Sequence, residues 1–292
     1  MTGDFTFIHY SYDHDLQPSL TLLTSGNDSF THFCPRGQSL TLQFTTTTRY
    51  CTGWHDLASG QSFPCPDATS VPKEYSQCVQ CQRKTGFNPA FYNANNVSPQ
   101  QQERNAQPHF LYLAHFAPGV VKVGISWSKR GIRRLLDQGA RSYLVLKEYP
   151  NAHVARQYEA KIASLPGIAE SLQSKAKYAL LARPYDQNAG AQELCAVRDR
   201  IVSELAIQPD DNHPQHPDHH YIADHTFTAR DLITIDGNCI SGYCLGLIGS
   251  ALITEQDDTP YMLSLSHLTG YQVSISDKER QNQHTPKQTS LF

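Results

Sequence analysis

The stretch of the chain that most restricts its fold lies between residues 110 and 166, where apolar residues change from strand spacing to helical spacing. Two apolar runs are separated by the turn Pro118-Gly119, which is typical of a hairpin. Leu135 and Leu136 then fall on one face of a helical repeat, and Asn151 is placed to cap a second helix. The order strand, strand, helix, strand, helix predicts an α+β unit over residues 109–168. The strands are expected at residues 110–116, 120–126 and 142–149, and the helices at residues 129–138 and 151–164.

The rest of the chain divides by composition into segments on either side of this unit. Short apolar runs predict strands at both ends, and a Pro/His/Asp-rich stretch predicts an exposed loop before the C-terminal strands. We expect a β-rich segment at residues 1–50, a cysteine segment at 51–86, a linker at 87–108, a helical region with a His-rich loop at 169–225, a small β-barrel or meander at 226–276, and a disordered tail at 277–292.

Charge and hydropathy limit where such a chain works and what it contacts. The net charge of -3 argues against a protein coated in positive charge, although it allows a local basic face. The first residues carry no basic and apolar leader, and the apolar runs are too short to cross a bilayer. These features predict a cytoplasmic protein with no membrane partner.

Five of the eight cysteines crowd into the first third of the chain, which in a reducing compartment favours metal ligation over disulfides. Cys78 and Cys81 form a CxxC knuckle, whose two thiolates can grip one tetrahedral ion. Cys51 and Cys65 lie in turn-forming sequence and are the nearest further ligands, with Cys34 and His55 in reserve. The spacing predicts a structural zinc site, and the alternative is a set of ordinary thiols. The His-rich run at residues 213–225 is interpreted as a surface loop rather than a second metal site.

Three stretches of the sequence resemble known families. The Leu-Tyr-Leu run at residues 111–113 resembles the first motif of the GIY-YIG nuclease superfamily, and the Lys-Val-Gly run at 122–124 occupies the place of the second. Arg134 and Glu159 fall where that superfamily carries its helix arginine and its metal-binding glutamate. Together with the cysteine pattern, these runs resemble an uncharacterised bacterial family of unknown function with a GIY-YIG-like core. The resemblance implies a three-stranded antiparallel sheet with flanking helices.

The resemblance also implies a site for phosphodiester cleavage, made of Tyr112, Lys122, Arg134 and Glu159. Glu159 would hold a divalent cation, Mg²⁺ or Mn²⁺, and Arg134 would bind phosphate oxygens. Tyr112, or a water that it orients, would take the proton of the nucleophile. Lys122 replaces the tyrosine of the second motif, so this position serves either as a base or only as a phosphate ligand. The alternative to metal binding by Glu159 is a structural ion pair with Arg156.

The predicted unit is basic although the chain as a whole is slightly acidic, as a phosphate-binding face requires. The residues that we expect to bind nucleic acid, in addition to the predicted catalytic residues, are Lys129, Arg130, Arg133 and Arg141. The C-terminal pentapeptide resembles the motif by which many bacterial replication and repair proteins bind the sliding clamp. Gln288 would supply hydrogen bonds, and Leu291 and Phe292 would fill an apolar pocket.

These features predict a DNA-associated, metal-dependent endonuclease or nuclease-like repair factor. A second hypothesis is a zinc-containing adaptor that binds nucleic acid without cleaving it, and a third is an RNA-processing protein. The clamp-like tail favours DNA over RNA.

Overall fold

The structure is a computed structural model that describes residues 1–24, 26, 29–88, 97–210, 213–222 and 232–283. The strands are β1 (Gly3–Tyr12), β2 (Pro18–Thr24), β3 (Thr31–Phe33), β4 (Ser39–Thr45), β5 (Arg49–Tyr50), β6 (Trp54–His55), β7 (Ser62–Phe63), β8 (Ser70–Val71), β9 (His109–Ala117), β10 (Val120–Trp127), β11 (Ser142–Tyr149), β12 (Ile168–Ala169), β13 (Ile233–Thr234), β14 (Cys239–Ile248), β15 (Ala251–Gln256), β16 (Thr259–Ser264) and β17 (Gln272–Ser276). The helices are α1 (Val79–Thr85), α2 (Pro99–Asn105), α3 (Arg133–Gln138), α4 (Ala152–Ala163), α5 (Ser174–Leu180), α6 (Gln187–Leu205) and α7 (Asp218–Tyr221). Helices and several sheets together confirm the α+β class.

The largest sheet joins the two ends of the chain. Its nine strands run in the order β13-β16-β15-β14-β4-β17-β1-β2-β3. The strands β14, β15 and β16 form the predicted antiparallel meander. The barrel alternative is wrong for the residues that the structure describes, because β14 and β17 each pair with β4 of the N-terminal segment and not with each other. The N-terminal strands β1–β4 and the C-terminal strands β13–β17 therefore share one sheet.

The central sheet contains the elements predicted from residues 110–166. Its order is β11-β9-β10-β12, in which β9 pairs antiparallel with β10 and β11, and the short β12 runs parallel to β10. The helix α4 begins where it was predicted, since the Asn151 side chain accepts a hydrogen bond from the Val154 amide at 2.9 Å. The helix expected at 129–138 is shorter, because Gly131 (φ 56°, ψ -152°) separates a 3-10 turn at Ser128–Arg130 from α3.

Helices cover both faces of the central sheet. The helices α4 and α6 pack on the face that carries Leu111 and Leu113, and α3 and α5 lie on the opposite face. The neighbours Leu135 and Leu136 are both fully buried, but Leu135 enters the core under the central sheet and Leu136 that of the nine-stranded sheet. The sequence pattern predicts that they share one face of a helix, whereas α3 is buried on two sides and links the two sheets.

The segments between these cores carry further structure. The predicted linker contains α2, which begins at Pro99. The Ser98 hydroxyl caps this helix by accepting a hydrogen bond from the Gln101 amide at 3.2 Å. In the segment predicted as a tail, Asn282 is buried and its side-chain carbonyl accepts from the Ser241 amide at 2.9 Å. Among the described residues, no helix is long and apolar enough to span a membrane. The predicted clamp-binding residues Gln288, Leu291 and Phe292 lie outside the described part of the chain.

Candidate functional site

The structure gathers the four predicted zinc ligands. The sulfur atoms of Cys51, Cys65, Cys78 and Cys81 all lie within 4.8 Å of one another, and all but Cys78 are buried. Short strands bring them together: Cys51 follows β5, Cys65 follows β7, and Cys78 begins α1. The reserve ligands are not part of this group, because Cys34 is exposed and the His55 ring contacts the Ser62 hydroxyl at 2.8 Å.

The local sequence around the cysteines explains this geometry. Gly53 has a φ of 86°, and a Cβ there would collide with the Phe63 carbonyl, so only glycine allows β6 and β7 to approach. Burial acts to raise the pKa of Cys65, but hydrogen bonds from the backbone of Thr69 and Asp67 outweigh it and lower that pKa to about 7. Burial raises the pKa of Cys51 and of Cys81. Four clustered thiols of this kind are held as thiolates by a cation.

The cysteine cluster fits a structural metal ion. A tetrahedral zinc with bonds of about 2.3 Å needs four sulfur atoms less than about 4 Å apart, and small side-chain rotations reach that geometry from the observed one. A four-cysteine set also leaves no open coordination position for a substrate. The residues Cys51, Cys65, Cys78 and Cys81 would therefore hold zinc in a structural role.

A second group of polar side chains lies inside the central unit, and we call it the central cluster: Tyr112, Lys122, Arg134, Gln138, Glu159 and Lys177. Tyr112 on β9 is fully buried, and Lys122 on β10 is only 7% exposed. The Lys122 ammonium lies 5.7 Å from the centre of the Tyr112 ring and donates to the Val123 carbonyl at 3.0 Å. Gly124 makes room for both, because a Cβ there would lie 2.5 Å from Tyr112 Cζ and 3.0 Å from Lys122 Nζ.

Gln138 and Lys177 orient the tyrosine. The Gln138 amide nitrogen also donates to the Arg134 backbone carbonyl at 3.2 Å, and a carbonyl can only accept. The Gln138 carbonyl oxygen therefore faces the Lys177 nitrogen at 3.0 Å, and the Gln138 amide nitrogen faces the Tyr112 oxygen at 2.8 Å. The Tyr112 oxygen therefore accepts from Gln138, and its own proton remains for another partner. This is the arrangement that a tyrosine needs to donate to, or take a proton from, a bound group.

The central cluster carries more positive than negative charge. Burial, and then the charges of Lys122 and Arg134, lower the pKa of Lys177 to about 7. Burial raises the pKa of Glu159, and the positive charges of Arg156 and Lys122 oppose that rise. The Glu159 carboxylate is already paired with Arg156 at 2.6 Å, which is the structural alternative to metal binding. Lys122 acts both on Glu159, which already has its own partner, and on Lys177, on which Arg134 also acts. Positive charge therefore exceeds negative charge around Lys122, which is the electrostatics of an anion site.

The central cluster is closed by α5. Lys177 on α5 lies 5.3 Å from the centre of the Phe116 ring, and Leu172 and Leu180 pack on the same core as Tyr112. The cavity beside Gln138 and Lys177 has a volume of about 30 Å³, enough for roughly one or two waters. Arg134 is half-buried and forms the outer side of the cluster.

Four of these six residues are among the predicted catalytic residues. The structure places Lys122 against Tyr112, the charge of Lys122 acts on Glu159, and the charge of Arg134 acts on Lys177. The sequence did not predict Gln138 or Lys177. Gln138 ends α3 one turn after Arg134, a spacing that puts both on one side of a helix. Lys177 lies on a short helix far along the chain, and no local pattern distinguishes it from a surface lysine.

The residues expected to bind nucleic acid divide between two places. Lys129, Arg130 and Arg133 line a groove of about 480 Å³ between β1, the β6–β7 hairpin and the end of β10. Arg141 does not line this groove: its guanidinium stacks on Tyr185 at 4.4 Å and lies 3.6 Å from an Asp218 oxygen.

The comparison with known families bears on these sites as a whole. A sequence model of a family described as a protein of unknown function (DUF2797) matches residues 37–273. The matched span includes all four clustered cysteines and the whole central cluster. No curated protein and no solved structure matches the chain.

Proposed function

The chain belongs to the DUF2797 family, and we propose that it is a DNA-associated, nuclease-like protein that acts on phosphodiester bonds at the central cluster. The observation that carries the proposal is the buried pair Tyr112 and Lys122 on β9 and β10. The charge of Lys122 acts on Glu159 of α4 and, together with that of Arg134 of α3, on Lys177. A GIY-YIG-like core would use such a site to bind the scissile phosphate. The cysteine cluster would hold zinc and fix the adjoining segment.

Each residue has a role that its surroundings support. Lys122 and Arg134 would neutralise the phosphate, because both are held in a low-dielectric site. Tyr112, oriented by Gln138, would exchange a proton with the nucleophile. Glu159 is the carboxylate of the cluster and would hold the divalent cation that cleavage requires, once Arg156 releases it. The cation would polarise the phosphate and activate water.

A second candidate function is an adaptor that binds nucleic acid without cutting it. The Arg156–Glu159 ion pair favours it, because a carboxylate engaged at 2.6 Å is not free to bind a metal ion. The closure of the cluster by α5 favours it as well. On this alternative the cations still bind phosphate, and only turnover is lost.

Cleavage of labelled DNA and RNA structures with Mg²⁺ or Mn²⁺ tests the proposal. Wild type should cut at least one DNA structure, and Arg134→Ala and Glu159→Gln should each lower the rate about 100-fold or more. Glu159→Gln keeps a hydrogen-bond acceptor for Arg156, and Glu204→Ala, on the exposed face of α6, is the matched control. If wild type binds nucleic acid without cutting it, the adaptor hypothesis is correct and the nuclease proposal is wrong. Cutting of RNA alone would contradict the assignment to DNA.

A further inference from the structure

The groove next to the central cluster has no counterpart in the predicted nuclease core, because three other parts of the chain contribute to its walls. One wall is β1, at His9. A second is the β6–β7 hairpin of the cysteine segment, at His55. The third carries Arg104 of α2 and Trp127 at the end of β10. The groove therefore exists only when the whole chain is folded.

The groove is longer than this first cavity. An adjoining cavity of about 710 Å³ shares His9, His55 and Arg133 with it, so the two are continuous. The second cavity is lined by the side chains of Phe30 and Phe63 in addition to these residues. An extended ligand would thus pass from a cationic part to a part lined by aromatic and imidazole rings.

The cationic part surrounds an indole ring. The Arg104 guanidinium lies 4.9 Å from the centre of the Trp127 ring, and the Lys129 ammonium lies 5.5 Å from it. Arg130 is paired with Asp137, whereas Arg133 meets the backbone carbonyl of Arg130 at 3.2 Å. Arg104, Lys129 and Arg133 therefore present cationic donors to the groove without a carboxylate partner among the described residues.

The groove and the central cluster share one positive field. Burial lowers the pKa of Arg104, and the charges of Arg130 and Arg134 lower it further. Arg133 of the groove and Arg134 of the central cluster are neighbours on α3. Asp137 of the same helix lines both the groove and the cavity beside Gln138, so the two sites adjoin. The charge on the groove also lowers the pKa of His55, through burial first and then through Arg104.

We infer that this groove binds a single-stranded segment of nucleic acid and leads it to the central cluster. A single strand offers both phosphates and open base faces, which matches cations beside Trp127 and rings in the adjoining cavity. A duplex stacks its bases inside and would meet the aromatic lining only with its backbone. The inference rests on the proposed function, because the strand in the groove is the one that reaches Lys122 and Arg134.

Binding of fluorescein-labelled oligonucleotides of about ten nucleotides, without divalent cations, tests the groove in the full-length chain. The arms are single-stranded DNA, single-stranded RNA and duplex DNA, and the variants are Lys129→Gln and Arg133→Gln. Each variant should weaken single-strand binding about tenfold and lower the salt dependence by about one phosphate contact. Lys161→Gln is the matched control, because Lys161 is also exposed and also lies over an aromatic ring, 5.0 Å from Tyr158.

A second measurement locates the ligand. In Trp54→Phe the indole of Trp127 is the sole tryptophan of the chain, since the sequence contains two. Single-stranded DNA or RNA should quench its fluorescence, and the quenching should be lost in Arg133→Gln. Stronger binding of DNA or of RNA would identify the source of the strand.

Two results would overturn the inference: unchanged single-strand binding in both groove variants, or duplex binding that is as tight and falls equally. The outcome is separable from that of the proposed function. If wild type cuts nucleic acid and the groove variants bind single strands normally, the groove inference is wrong and the proposed function stands. If wild type cuts no nucleic acid but the groove variants lose single-strand binding, the groove inference stands and the nuclease proposal is wrong.

Discussion

Two regions of this molecule bury groups that ionise, and they do so with opposite charge. The cysteine cluster brings four sulfur ligands within 4.8 Å, and as thiolates they repel one another without a cation. The central cluster places Lys122 and Arg134 near Lys177, whose pKa they lower, and its one carboxylate, Glu159, is already paired with Arg156. The first has the ligands of a structural metal ion, which we propose holds its fold, whereas the second folds on an apolar core and carries positive charge that we propose serves a ligand. On this proposal, excess charge serves structure in one place and function in the other.

The largest expected effect is the loss of metal from the cysteine cluster. Cys78→Ser should lower the zinc content from one ion per chain toward none and unfold residues 49–85, because metal contributes about 10 kcal/mol or more to comparable small sites. Metal analysis and circular dichroism would measure this, with Cys239→Ser, outside the cluster, as the control. If wild type carries no stoichiometric zinc, or if Cys78→Ser keeps its zinc, the cysteine cluster is not a metal site.

The next effect concerns the packing of the central cluster. Gly124→Ala would place a Cβ 2.5 Å from Tyr112 Cζ, so the free energy of unfolding should fall by about 1–3 kcal/mol. Gly237→Ala is the control, since a Cβ there meets its nearest atom at 3.8 Å. Chemical denaturation measures both. If the two variants are equally stable, Tyr112 and Lys122 do not pack against Gly124 as the structure shows.

The charge of the central cluster should appear in the pH dependence of stability. Lys177 loses its proton near pH 7 in the folded chain, against an ordinary pKa of 10.5. The unfolded chain therefore binds more protons between these values, and stability should rise with pH across that window by at most about 1.4 kcal/mol per pH unit. Lys177→Gln should flatten the rise, whereas Lys175→Gln, exposed on the same helix, should not. A rise that persists in Lys177→Gln has another source.

The smallest effect on stability separates the two clusters most sharply. Lys122→Met removes a buried ammonium that repels Lys177 and keeps most of its volume, so stability should hold or increase by about 1 kcal/mol. The affinity for DNA should nonetheless fall about tenfold. Denaturation and DNA binding give the two values. A destabilisation above about 2 kcal/mol would make Lys122 a structural residue, like the cysteines.

What the sequence predicted depended on whether the signal was local. The CxxC pair, the hairpin around Gly119 and the Asn151 cap are patterns within a few residues, and the structure has each of them. The joining of β4 to β14 and β17 could not be predicted, because pairing over some 200 residues leaves no periodic trace in either strand. Lys177 escaped notice for the same reason, since only the fold brings α5 onto β9.

The most direct test of the central cluster is the proton exchanged when DNA binds. A phosphate beside Lys177 should raise the pKa of this lysine from about 7. At a pH near 8, binding should then take up close to one proton, because the phosphodiester itself does not titrate there. Isothermal titration in two buffers of different ionisation enthalpy measures the uptake, which Lys177→Gln should abolish. Binding by wild type with no proton uptake would contradict the claim that nucleic acid occupies this cluster.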